Sequence, residues 1–280
     1  MKVSQLLSRA SVACVVSAGL MACGSDSAHS SRAAGATARS SAGGGSTAES
    51  NGDVVIRGTG SAYKVVTVRS PGTVSGTVTV KATPAPVPPV PSGAAGAVCG
   101  ASIADESIQL AGNHLAGAVV WLDGIHEGKA PPDDRRLELE SVQCRLRPRV
   151  QAALTGSAVN IIGHDQFMQH LRFTAGGDTA ARATVLVGGG EQVIPTELPF
   201  KSPGLVMVRD PDHPWTRAWL AVFDHPYFAV TGADGAYSIT GVPPGSYTLH
   251  VWHERTGDSE QHVSVPANGV VKSDVVVSVR

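Results

Sequence analysis

Strict alternation of apolar and polar positions marks residues 72–81, Gly-Thr-Val-Ser-Gly-Thr-Val-Thr-Val-Lys, as a strand with one buried face. Residues 116–124 form a second strand ending in a turn, and 54–68 read as one or two irregular strands before the first. A Pro-rich stretch at 83–92 predicts an extended connection. Pro131 and Pro132 make 127–136 a loop. The C-terminus is the most regular part. A strand at 228–231 is followed by a tight turn around Asp234 and Gly235, where glycine supplies positive φ. A short strand at 237–240 leads through a second turn, Gly241-Val-Pro-Pro-Gly245, to a strand at 246–252. Tyr247, Leu249 and Val251 share one face of it. Runs at 261–265 and 270–279 complete this part. Between the two regions, short runs at 149–154, 158–162, 170–174, 183–187, 204–209 and 218–223 alternate with Gly-rich turns. Long helical periodicity is absent, so the fold class predicted is all-β.

The N-terminus changes the picture of where this sandwich works. Lys2 and Arg9 precede an apolar stretch, 10–21, and the sequence Leu20-Met21-Ala22-Cys23. A basic start, a short apolar core and small residues before a cut describe a secretory leader. The stretch falls short of the ~20 apolar residues of a spanning helix. Its ending resembles a lipobox, which implies cleavage of residues 1–22 and lipidation of Cys23. Gly24 and Ser25 follow, without an acidic residue at the second position, which implies passage to the outer membrane. Residues 23–52 are Ser, Gly, Ala and Thr, too polar to order themselves and suited to a flexible tether. The expected localisation is therefore exported and lipid-anchored in the cell envelope, facing periplasm or surface.

A net charge of −1 gives no footprint for nucleic acid. Of four cysteines, Cys14 leaves with the leader and Cys23 takes the lipid. Cys99 and Cys144 then remain in an oxidising compartment and are expected to pair, closing a long loop. Use of the same two thiolates as soft metal ligands is the alternative.

Two resemblances follow. Ser75–Val78, Leu115–Val119, Asp234–Tyr237 and Val242–Tyr247 resemble the strand and turn motifs of the carboxypeptidase regulatory-like domain, a transthyretin-like β-sandwich. About a hundred residues separate the second motif from the third, which implies an insertion. The expected organisation is one split sandwich, 53–139 with 224–280, holding a second β unit at 140–223. Residues 159–170, 204–215, 224–230 and 251–254 are similar to exported proteins that carry a cupredoxin-like domain beside such a sandwich. This resemblance covers residue 72 to the end.

In that family the copper loop reads Cys-x-x-His-Pro-Trp-Met. Here Asp210 stands in the Cys place, His213 is kept, and Thr216 replaces the Met. Type 1 copper needs a thiolate with two imidazoles, so it is not expected. His170 matches the first histidine with one extra residue in the loop, and His164 competes for the role. His170, His213 and Asp210, with Met168 as a soft ligand, define a candidate site for copper of another type or for zinc. A degenerate loop in which His213 only packs is the other reading. His225 and His253 are expected to make structural hydrogen bonds, and His250 to be solvated on the outer face. No Gly-x-Ser-x-Gly elbow, His-Glu-x-x-His or phosphate loop is present. The expectation is a non-enzymatic binding module. Its ligand is a metal held by histidines, or a glycan stacked on Trp215, Trp219 and Trp252, or another envelope protein.

Overall fold

The computed structural model describes residues 56, 58–60, 62–175, 181–197 and 201–280. The leader, Cys14, Cys23 and the tether lie outside the described residues. Strands hold about half of the described residues and helices almost none, and the strands are arranged as two β-sandwiches packed face to face. Among the described residues no helix is long and apolar enough to cross a membrane.

One sheet of the first sandwich runs Phe228–Val230, Val119–Asp123, Gly245–His253, Gly257–Val265, all antiparallel. The other is centred on Gly72–Val80, which pairs antiparallel with Ala236–Val242 and His114–Leu115. Val270–Lys272 and Val275–Val277 pair parallel with the same long strand. Val74, Val78 and Val80 project from this sheet onto Val120, Leu122, Leu249 and Val251 of the other. That is the alternation read from the sequence, carried into a core. Gly76 permits the close approach of Ser273, whose carbonyl oxygen occupies the space a side chain there would need. Gly235 takes φ 70° in the turn before Ala236–Val242.

The second sandwich pairs a sheet of Arg145–Arg147, Arg136–Val142, Ala158–Gly163 and Gln192–Glu197 with a sheet of Val150–Leu154, Arg217–Phe223, Gly204–Arg209, Gln169–Ala175 and Ala183–Val187. Two pairings are parallel, Arg136–Val142 with Ala158–Gly163 and Val150–Leu154 with Arg217–Phe223. Its core gathers Leu139, Val159, Ile161, Leu171, Phe173, Val206, Val208, Leu220 and Val222. The strand Arg136–Val142 corrects two expectations. The loop drawn at 127–136 gives way to a strand at Arg136, and that strand belongs to the second sandwich, earlier than residue 140. Leu139 and Ser141 are its buried positions, so the signal was a period-2 pattern only a few residues long.

A third cluster joins the sandwiches. Val119, Trp121 and Trp252 on the outer face of one meet Leu205, Ala221 and Phe223 of the other. Val119 to Leu122 is apolar at every position because the strand is covered on both sides. Trp219 and Trp252 pack edge to face at 5.2 Å, and Phe223 stacks on Phe228 at 4.7 Å. Arg149 and Glu254 tie the same junction with two hydrogen bonds, 2.5 and 2.9 Å. Cys99 and Cys144 form a disulfide between a short helix and the hairpin turn after Arg136–Val142. Asp165 holds that turn by accepting from the Ser141 hydroxyl at 2.8 Å and the Cys144 N–H at 2.9 Å.

Candidate functional site

The loop between Gly204–Arg209 and Arg217–Phe223 closes around Asp210, whose residue exposure is 1%. Three donors satisfy its carboxylate. Oδ2 accepts from His213 Nδ1 at 2.7 Å and from the His170 backbone N–H at 3.2 Å. Oδ1 accepts the Asp212 N–H at 2.9 Å. A buried carboxylate is tolerated only when its oxygens are hydrogen-bonded, and both of these are. The imidazole of His213 sits between Phe167 and Trp215, at 4.7 and 5.4 Å between ring centres. Thr216 is fully buried behind it, with an unpaired hydroxyl.

The four-residue metal set read from the sequence does not assemble. His170 presents its backbone to Asp210, while its ring turns outward to Asp212 at 3.0 Å. Strand parity is the cause: Gln169, Leu171 and Phe173 face inward on Gln169–Ala175, and His170 faces out. Met168 is 61% exposed. The inward position beside His170 on this strand belongs to Gln169, which is buried with both amide atoms unpaired. His164 pairs with Glu191 at 2.7 Å, and that bond raises its pKa. Among the described residues no three His, Cys, Asp or Glu side chains converge as a metal site requires.

The three other histidines singled out in the sequence, His225, His253 and His250, divide into buried acceptors and one ring facing carboxylates. His225 and His253 are buried, and each accepts a backbone N–H on Nδ1, from Tyr227 at 3.3 Å and Arg255 at 3.2 Å. Burial lowers the pKa of His225 and brings His253 to about 4, so both rings are neutral at pH 7. His250 is not free in solvent. It stacks on Trp121 at 4.8 Å and lies 3.3 Å from Asp258. Burial works to lower its pKa, but the Asp258 hydrogen bond and the charges of Asp258, Asp123 and Glu260 prevail and raise it.

Trp252 is buried at the junction and Trp219 packs against it, so neither offers a free stacking face. Trp215 does line a cavity. It shares a space of about 240 Å³ with Arg145, Arg147, Arg149 and Arg217. A larger cavity, about 720 Å³, opens beside it and shares Arg147, Arg149 and Glu106. Sequence reading missed these arginines because they come from two separate segments. The alternation of Arg145, Arg147 and Arg149 was the available signal.

No family model matches the chain. No curated protein matches it either. Among solved structures it is similar to a Cu-containing nitrite reductase from Thermus scotoductus SA-01, at 15% identity and TM-score 0.26, over 34% of this chain and 23% of that one. The chain thus spans less than a quarter of that enzyme's length. Amicyanin from Paracoccus versutus gives 16% identity and TM-score 0.26, covering 33% of this chain and 84% of that one. A purple cupredoxin from Nitrosopumilus maritimus gives 13% identity and TM-score 0.24, covering 31% and 98%.

Type 1 copper does not fit the residues present. In the resemblance read from the sequence Asp210 stands in the thiolate place; here it is a carboxylate hydrogen-bonded to His213, the imidazole of that loop. Cys99 and Cys144, the two described cysteines, are joined to each other.

Proposed function

We propose that the chain is an exported envelope lipoprotein, anchored through Cys23, that acts by binding and not by catalysis or copper electron transfer. Its second sandwich is read as a cupredoxin-like scaffold in which an Asp–His pair has replaced the metal centre. The observation that carries this is the Asp210 carboxylate, saturated by three N–H donors where the resemblance requires a thiolate. The conversion is chemically consistent. Neither Asp210 nor Thr216, which stand where the motif has its soft donors, carries sulfur, and the loop keeps the motif's length between them. The binding surface is then sought outside the loop's interior. Trp215, in the wall of the 240 Å³ cavity, favours a glycan or another small polar ligand there.

Metal titration of the full-length protein tests the first part. Cu(II), Cu(I) and Zn affinities, measured by competition, are expected to match those of surface histidines and to be unchanged by His213→Ala. Tight equimolar copper that disappears in His213→Ala overturns the proposal.

A further inference from the structure

Residues 81–113 leave the first sandwich and return to the same place. The Val80 N–H donates to the Asn113 carbonyl at 2.8 Å, which brings the two ends together. Between them the chain crosses to the second sandwich. Its regular structure is slight: Val90–Pro91 pairs with Ser102–Ile103, around the helical turns Gly93–Ala95 and Gly96–Cys99. Residues 82–107 add no side chain to the three hydrophobic cores of the described residues; Ala95 and Ile103 are buried apart from them. The hold on the second sandwich is covalent and ionic instead. Cys99 is bonded to Cys144, and Glu106 faces Arg145 and Arg147 at 3.0 and 2.6 Å. These charged side chains are 21 to 38% exposed, so the ion pairs alone hold weakly. A segment with few buried apolar contacts is the first to open. The disulfide is the bond that prevents it.

What lies beneath gives the segment a role. The 240 Å³ cavity takes its walls from two sources: Val90, Ala104, Asp105 and Glu106 of this segment, and the stretches 145–149 and 214–217 of the second sandwich. Asp105, Glu106, Ile108 and Gln109 also wall one side of the 720 Å³ cavity. With the segment lifted, the smaller cavity becomes an open face that includes Trp215. We propose that residues 82–107 are a redox-clasped strap, and that reduction of Cys99–Cys144 frees it from the second sandwich and opens the junction cavities. Cys99 is half-buried and Cys144 is 2% exposed, so a dithiol reductant meets the Cys99 sulfur first. One thiolate of the reductant bonds to Cys99 Sγ, the S–S bond breaks, and Cys144 leaves as a thiolate. The second thiol then displaces Cys99. Two electrons and two protons pass to the cysteines, and the dithiol becomes a disulfide. The inference goes beyond the reading of the chain as a binding module and depends neither on a metal nor on which ligand the cavities take.

Hydrogen exchange of the full-length protein, oxidised and after dithiothreitol, tests the strap, with reduction confirmed by alkylation of Cys99 and Cys144. The amides of Ser92, Ala95 and Gly100 donate within the strap. Reduction is expected to speed exchange over residues 90–103 by roughly tenfold or more, while Gly72–Val80 and Arg217–Phe223 keep their rates. Acrylamide should quench tryptophan fluorescence more strongly in the reduced protein, and Trp215→Phe should abolish that increase. Glu106→Gln should speed exchange of the strap further in the reduced protein and leave the oxidised one unchanged. A bond that resists dithiothreitol in the folded protein, or unchanged exchange over 90–103 once it is reduced, overturns the proposal. Faster exchange through both cores overturns it too, because the disulfide is then a staple of the whole fold. So does an increase in quenching that survives Trp215→Phe.

Discussion

Arg149 and Glu254 face each other across the junction of the two sandwiches, and cutting one of them should be much worse than removing both. Arg149 donates from Nε and a terminal nitrogen to the two oxygens of Glu254, at 2.5 and 2.9 Å. Their side chains are 15% and 5% exposed. Glu254→Ala leaves a largely desolvated guanidinium with no partner, which costs about 3–5 kcal/mol for a fully buried pair. Arg149 also lines the adjoining cavity, so a cost somewhat below that range, about 2–3 kcal/mol, is expected. Arg149→Met/Glu254→Leu removes both charges and keeps the volume. It should lie within about 1 kcal/mol of the parent. A double-mutant cycle of Arg149→Met, Glu254→Leu and their combination, read in urea at pH 7, is expected to give a coupling of about 3 kcal/mol or more. Additive single effects, or a Glu254→Ala variant within about 0.5 kcal/mol of the parent, would refute the assignment of this pair as the polar clamp of the junction.

Three further outcomes are expected. Burial holds His253 at about 4 in the folded protein against roughly 6.5 when unfolded. Between those values the unfolded chain binds the extra proton, so stability is lost as pH falls from about 6.5 to about 4, on the order of 3 kcal/mol. His225 acts in the same direction, and the raised pKa values of His164 and His250 act in the opposite one. His253→Asn keeps an acceptor for the Arg255 N–H and should flatten the slope of unfolding free energy over that window; an unchanged slope counts against the assignment. Cys99→Ala/Cys144→Ala opens a loop of sequence separation 45 and should cost about 4 kcal/mol on the chain-entropy model, read by the same denaturation. Gln169→His/Asp210→Cys should create an intense thiolate-to-copper absorption band that Asp210→Cys alone lacks; a band from the single variant would return the first ligand place to His170.

Most of the fold lay open in the sequence wherever period-2 alternation ran long enough. Gly72–Val80 and Gly245–His253 each carry it over nine residues, with turns marked by Gly235 and by the Pro-Pro-Gly sequence before Ser246. Arg145–Arg147 and Gln192–Glu197 were not legible. The first is three residues of mostly charge. The second contains Pro195 and leaves Val193 exposed on an edge strand, so it shows no buried face to read. The junction was half visible. The unbroken apolar run Val119–Leu122 announces a strand covered on both faces, but nothing local says that Trp252 covers it.

At the site, residue type and strand direction part company. His170 carries the side chain that suits a ligand, but it stands on the outward parity of its strand. Inward and outward on a strand differ by one residue, and the Leu171 and Phe173 pattern, extended backward, selects Gln169. The same logic explains why Asp210 tolerates its burial. Its two oxygens divide the donors: Oδ1 takes the Asp212 N–H, and Oδ2 takes the His170 N–H and the His213 ring. Two of the three donors are backbone groups, fixed by the loop and by the neighbouring strand, so the carboxylate's place is built by the fold and only its third partner by a side chain.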